Sequence, residues 1–192
     1  MKISGQNVLP FPVERVWEAL LDPAVLVRTI PGCERLETTG DHTYAMTVTA
    51  GVASIRGTYD GSCVLSDLVP HESLVMRLQG SGAPGTIDAT VQVGFAPAAE
   101  GGARISYDAD AVVGGMVGGV GQRMLGSVSR RMATEFFDNV GRAIGGGVAA
   151  VAPAPDAGTG EPAVGRVFTA PARPAPSQQD FLKGIAVGAG LV

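Results

Sequence analysis

Thr86-Ile87-Asp88-Ala89-Thr90-Val91-Gln92-Val93-Gly94-Phe95 alternates apolar and polar residues, and the same rhythm resumes in Arg104-Ile105-Ser106-Tyr107-Asp108-Ala109-Asp110-Ala111. A period of two sends successive side chains to opposite faces of a strand, so each stretch reads as a strand with one dry and one wet face. A short turn from Pro97 to Gly102 joins them, which makes the pair antiparallel. The period extends back to Glu34 and forward to Val113. One phase carries Tyr44, Met46 and Val48, then Ile55, Tyr59, Cys63 and Leu65, then Leu74, Met76 and Leu78. It continues through Ile87, Ala89, Val91, Val93 and Phe95 to Ile105, Tyr107, Ala109 and Ala111. The opposite phase holds Arg56, Asp60, Arg77, Asp88, Arg104, Asp108 and Asp110. Further turns fall at Gly40-Asp41, Val69-Pro70 and Gly82 to Gly85. The whole stretch is an antiparallel meander with one buried face.

On the N-terminal side, Lys2 to Leu9 reads as a strand of undecided facing, ended by Pro10 and Pro12. Pro12 suits a helix's first turn, and Val13, Val16, Trp17 and Leu20 follow at the spacing of one helical face. Asp22-Pro23 ends that helix; a second short one fits Pro23 to Arg28, before the Ile30-Pro31-Gly32 turn. On the C-terminal side, Gly114 to Ile144 reads as one long helix with Leu125, Val128, Met132, Phe136 and Val140 on one face. Arg123, Arg130, Thr134 and Asp138 sit opposite. Five of the eight residues from Gly114 to Gly121 are glycine, and an interior glycine costs a helix roughly 1 kcal/mol against alanine. That end is expected to be loose or held by something. The order implies an α+β domain over residues 1–146, with the long helix lying across the apolar face of a curved antiparallel sheet and a cavity between them.

After residue 146 the composition changes. Six of the 13 prolines lie between Pro153 and Pro176, so 147–177 reads as an extended, solvated linker. Residues 178–192 form an apolar segment in which Phe181, Leu182, Ile185 and Val187 are candidates for membrane or partner contact. It is too short to span a bilayer, which takes about 20 apolar residues.

Composition narrows the function. A net charge of −4 with only 14 scattered Lys and Arg argues against a nucleic-acid surface. Cys33 and Cys63 are far apart, with no CxxC and only His42 and His71 as nitrogen ligands, so no metal site is expected. The start Met1-Lys2-Ile3-Ser4 lacks a signal-peptide pattern, and the thiols read as reduced in a cytoplasmic protein. Neither Walker nor dinucleotide fingerprints are present.

The candidate lining of the cavity is Tyr44, Met46, Tyr59, Met76, Leu78, Tyr107, Met116, Val120, Met124, Leu125, Val128 and Met132. Methionine is flexible and polarisable, so it suits a pocket for a long apolar molecule, and equally it fills gaps in an ordinary core. The three tyrosines share the inward phase, and a buried hydroxyl needs a partner, whether a ligand carbonyl, protein or water. Gly114, Gly115, Gly118 and Gly119 read either as a gate of low helical stability or as close packing against strands. His42 and His71 fall beside turns and read as exposed, Cys33 reads as a structural thiol, and no inward acid/base pair can be placed, so no catalytic residue is assigned.

The element order resembles the START/SRPBCC ligand-binding superfamily, whose helix-grip fold encloses an apolar pocket. Pro12-x-x-x-Val16-Trp17, Asp22-Pro23, Ile30-Pro31-Gly32-Cys33-Glu34 and Gly114-Gly115 together resemble the carbon monoxide dehydrogenase CoxG family over residues 1–146. The resemblance implies a non-enzymatic carrier, peripheral to the inner face of the cell membrane. It would bring a respiratory quinone, menaquinone or ubiquinone, to a molybdenum carbon monoxide dehydrogenase, with the quinone as cargo and no covalent cofactor. Two alternatives remain open at this point: a membrane-recruitment adaptor without a ligand, and a polyketide cyclase/aromatase-like enzyme.

Overall fold

The computed structural model describes residues 1–146 and 164–170. The chain runs β1 (Lys2–Leu9), α1 (Val13–Leu21), α2 (Pro23–Thr29), β2 (Cys33–Gly40), β3 (Thr43–Val52), β4 (Ile55–Val69), β5 (Ser73–Gly82) and β6 (Gly85–Pro97). A single 3-10 turn leads to β7 (Ala103–Gly114), α3 (Gly115–Gly118), α4 (Gln122–Gly145) and β8 (Val167–Thr169). All eight strands form one antiparallel sheet in the order β1-β7-β6-β5-β4-β3-β2-β8. The helices α1 and α2 carry the chain from β1, beside β7, to β2 at the far side of the sheet. Asp22 divides them: its extended backbone ends α1, and its Oδ1 accepts the Ala24 N–H at 2.8 Å to cap α2, with Pro23 at the first helical position.

The inward phase read from the sequence is the buried one except at Ile87, which is exposed near the start of β6. Tyr44, Cys63, Leu65, Leu74, Phe95, Ala103 and Ile105 join Val16, Trp17, Phe137 and Val140 in the main core cluster. In β1 the facing is now decided: Lys2, Ser4, Gln6 and Val8 are exposed, and Leu9 is buried. Trp17 locks α1 to the sheet by an edge-on contact with Phe95, ring centroids 5.3 Å apart. His42 and His71 are exposed turn residues with positive φ.

Two expectations are corrected here. The long helix does not begin at Gly114: β7 runs to Gly114, α3 is a single turn, and α4 starts at Gln122. Gly115 and Gly121 have φ of +75° and +89°, values that a residue with a Cβ rarely adopts, so the glycines bend the chain where an amphipathic wheel predicts continuity. Gly115 also lies against the β5–β6 hairpin, where a Cβ would come within 2.6 Å of Gly85 Cα. Second, the segment expected to be linker contains β8, which pairs Val167, Phe168 and Thr169 with Glu37, Leu36 and Arg35 of β2. Phe168 packs on the main cluster, and β2's outer edge gains partners for its backbone groups. The remaining expectations for 147–177 and 178–192, with Phe181, Leu182, Ile185 and Val187, fall on residues 147–163 and 171–192, outside the described residues.

Candidate ligand cavity and its lateral window

Helix α4 lies across the concave face of the sheet but seals it only at its ends. Toward its C-terminus, Phe137 and Val140 are buried in the main cluster, and Asn139 Nδ2 donates to the Thr29 carbonyl at 3.0 Å. Toward its N-terminus, Leu125 forms a second, smaller cluster with Val117 and Tyr59, against which Ala50, Val52, Ile55, Val113 and Val120 pack.

Between the two clusters the inward side chains are only partly covered, although the sheet residues among them pack on the margin of the main cluster. Met46, Val48, Met76, Leu78 and Val93 of the sheet, and Val128 and Met132 of α4, are all only half-buried although they face the interior. A side chain that points inward and still keeps accessible surface borders open space. The floor of that space is low because small residues occupy it. Ala89 pairs with Ala111 and Val91 with Ala109, and these four are buried yet belong to neither cluster. Gly80, in the same phase as Leu78, would meet nothing closer than 4.0 Å if it carried a Cβ.

The predicted lining residues therefore separate. Met46, Met76, Leu78, Val128 and Met132 border the gap; Tyr59, Leu125 and Val120 close one end of it. Tyr44 and Tyr107 belong to the other end, where Tyr107 stacks on Phe137 at 6.3 Å between centroids. Thus the three tyrosines share a face but do not converge. Met116 and Met124 are corrections: they are 62% and 46% exposed. The break at Gly119–Gly121 shifts the helical phase so that Val117 and Leu125 turn inward and the methionine preceding each turns out. The gate glycines sit in this same break, Gly114 at the end of β7, Gly115 and Gly118 bounding α3, and Gly119 after it.

The interior is chemically quiet. Among the described residues Thr29 is the only buried polar residue, and no group of His, Cys, Asp and Glu is placed to hold a metal ion. Burial pushes the Cys63 thiol up to about 12 and raises Cys33 as well, so neither offers a thiolate at neutral pH. Burial likewise raises Tyr44 and Tyr59, with the neighbouring Cys63 and Asp22 adding to the shift at Tyr44. These phenols stay protonated and remain hydrogen-bond donors.

Met132 also borders a cleft at the side of the grip. Because the pairing of β2 with β3 starts at Cys33–Val48, the end of β3 projects past it. There the cleft, of about 640 Å³, lies between the α2–β2 loop, the β3–β4 hairpin and the middle of α4. Val27, Ile30, Ala50 and Met132 supply its apolar lining, and Arg28, Arg56, Arg131, Glu34 and Glu135 its charged groups. Sequence reasoning missed this window because its parts are scattered along the chain. The available signal was the run from Gln122 to Thr134, which contains Arg123, Arg130 and Arg131 and no acid. A larger depression, about 760 Å³, is lined by polar residues such as Ser4, Gln6, Gln92 and Asp108 together with Val69, Leu74, Val75 and Val93.

Solved structures of the same shape support this architecture. A conserved protein from Geobacillus kaustophilus is 32% identical with a TM-score of 0.72, the match covering 75% of this chain and 95% of that one. The Zhui aromatase/cyclase from a Streptomyces species is 16% identical with a TM-score of 0.57, over 75% of this chain and 93% of that one. A protein from Chromobacterium violaceum is 21% identical with a TM-score of 0.52, over 74% and 96%. At these last two identities the likeness is one of fold, the helix-grip of the START/SRPBCC type. No curated protein matches the chain. Residues 5–145 match the model of the carbon monoxide dehydrogenase CoxG family, and the chain belongs to that family.

Proposed function

We propose that this protein is a non-enzymatic carrier that holds a respiratory quinone, menaquinone or ubiquinone, and presents it to a molybdenum carbon monoxide dehydrogenase at the membrane. The family name supplies the link to the dehydrogenase. The observation that carries the reading is the strip of half-buried inward apolar side chains, from Met46, Met76 and Leu78 at the margin of the main cluster across to Val128 and Met132. An isoprenoid chain laid along it would gain roughly 25 cal/mol for each Å² of apolar surface removed from water. In this reading Tyr59 donates to a quinone carbonyl; support comes from Ala50, which packs against the cluster that contains Tyr59 and also lines the cleft.

A cyclase of the same fold would need an acid and a base inside the cavity. The described interior offers neither, so carriage fits its chemistry better. Among the described residues no helix is long and apolar enough to cross a membrane, and exchange with a bilayer would be peripheral.

Native mass spectrometry of the purified full chain tests the reading. The expected result is a quinone-mass adduct, or uptake of added menaquinone or ubiquinone, that is lost when Met132→Trp fills the gap. An empty protein that takes up neither quinone overturns carriage. If such a protein still brings the dehydrogenase to membranes, and loses that ability when Phe181, Leu182, Ile185 and Val187 are all changed to Ser, it is an adaptor instead.

A further inference from the structure

The lateral window carries more positive charge than its structural surroundings require. Arg28, Arg56 and Arg131 line it against Glu34 and Glu135, in a chain whose net charge is −4. The side-chain ion pairs of the described residues are Arg35–Glu37 and Arg77–Asp88, both away from this cleft. None of the window's arginines is within ion-pair distance of a carboxylate among the described residues, even though two glutamates share the cleft. Glu34 has a neutral partner within the cleft: its Oε1 accepts the Thr49 hydroxyl at 2.7 Å. Arg28 is held in place by its Nε, which donates to the Ala24 carbonyl at 2.9 Å and leaves its terminal nitrogens free for another acceptor. Arg56 and Arg131 are exposed, on the β3–β4 hairpin and on α4, at opposite sides of the opening.

Beneath these charges the lining is apolar, with Ile30, Ala50 and Met132 half-buried. Guanidinium groups above an apolar floor match a molecule with an anionic head and a hydrocarbon body: the head accepts several N–H donors at once, and the first carbons lie on the floor. A quinone head is neutral, so this chemistry is not explained by quinone cargo.

We propose that the window is a recognition site for the anionic head group, carboxylate or phosphate, of an amphiphile, with Arg56 and Arg131 as the charges that hold it. The proposal is independent of what fills the cavity. The same chemistry is offered by a free fatty acid and by the phospholipids of a bilayer, and the two sources can be told apart.

The test uses the full chain with two pairs of probes. Decanoate is compared with decanol below their aggregation concentrations, by calorimetric titration. Phosphatidylglycerol vesicles are compared with phosphatidylcholine vesicles, by co-sedimentation. The anionic member of at least one pair is expected to bind about tenfold more tightly than the neutral one, with an advantage that shrinks as salt is raised. Arg56→Glu combined with Arg131→Glu abolishes the advantage, whereas Arg104→Glu, on the wet face of β7, leaves it intact. Preference confined to decanoate assigns a soluble amphiphile, and preference confined to vesicles assigns a membrane surface; both support the site. Equal binding of charged and neutral probes in both pairs overturns it, as does an advantage that survives the double charge reversal. Circular dichroism of the double variant guards against misfolding, and Arg56→Gln with Arg131→Gln provides a neutral second test. Because quinone uptake is read separately by mass, failure of that reading leaves this result standing, and the reverse.

Discussion

The two halves of α4 are built to different standards. Its C-terminal half is pinned: Val140 is fully buried, Phe137 contacts both Tyr107 and Phe136, and Asn139 is tied to Thr29. A cation, Arg142, stands in the last turn, where the helix dipole favours it. Its N-terminal half is held only through Leu125, in the smaller cluster. Gly121 supplies no side-chain cap, the first turn carries Arg123 and no acid, and Met124 projects into solvent. Charge and capping both disfavour that end. A helix anchored by buried contacts at one end and short of a cap and of dipole partners at the other holds the fold with the first end and stays adjustable at the second.

The sharpest way to break this comparison is to cut the pinned end. Phe137→Ala removes a buried ring together with its stack on Tyr107 and its edge contact with Phe136. The expected loss is about 3–5 kcal/mol of unfolding free energy, measured by urea denaturation. Met132→Ala, in the stretch that borders the gap, removes half as many heavy atoms and leaves no new sealed void, because Met132 is only half-buried. Its expected cost is about 1 kcal/mol, with quinone uptake by native mass spectrometry falling more than stability does. If the two variants prove equally destabilised, the middle of α4 is packed core and the gap does not exist in solution.

Much of this contrast was legible in the sequence, and the reason is periodicity. The sheet has one dry face, so its strands alternate over ten or more residues, and the inward set from Tyr44 to Ala111 could be read directly. The stripe from Leu125 to Val140 was legible for the same reason, although the ring it buries is Phe137, beside the expected Phe136. What could not be read was whatever depends on a single backbone angle or on parts distant in the chain. An amphipathic wheel is blind to the positive φ of Gly115 and Gly121, so it ran the helix through the break and turned Met116 and Met124 inward. With three residues in a Pro/Ala-rich context, β8 is too short to show a period and forms because β2 presents an open edge. The window draws Arg28, Arg56 and Arg131 from α2, β4 and α4, and no local pattern links them.

The smallest expected effect is silent at neutral pH and probes the pinned side of the sheet. Cys63 belongs to the main cluster beside Tyr44, and burial pushes its thiol from the ordinary value of 9.0 up to about 12. Below pH 9 the folded and unfolded chains both keep the proton, and the buried neutral thiol contributes its full stability. As pH rises from 9 toward 12, the unfolded chain ionises first, so unfolding becomes easier at a limiting slope of about 1.4 kcal/mol per pH unit. Cys33, Tyr44 and Tyr59 are raised as well and act in the same direction, so Cys63→Ala should lessen the loss of stability between pH 8 and pH 10 without abolishing it. Urea denaturation of both proteins at the two pH values makes the measurement. Parallel losses in the two proteins would mean that water reaches Cys63 in solution, and the end of the grip described as pinned would then be as open as the other.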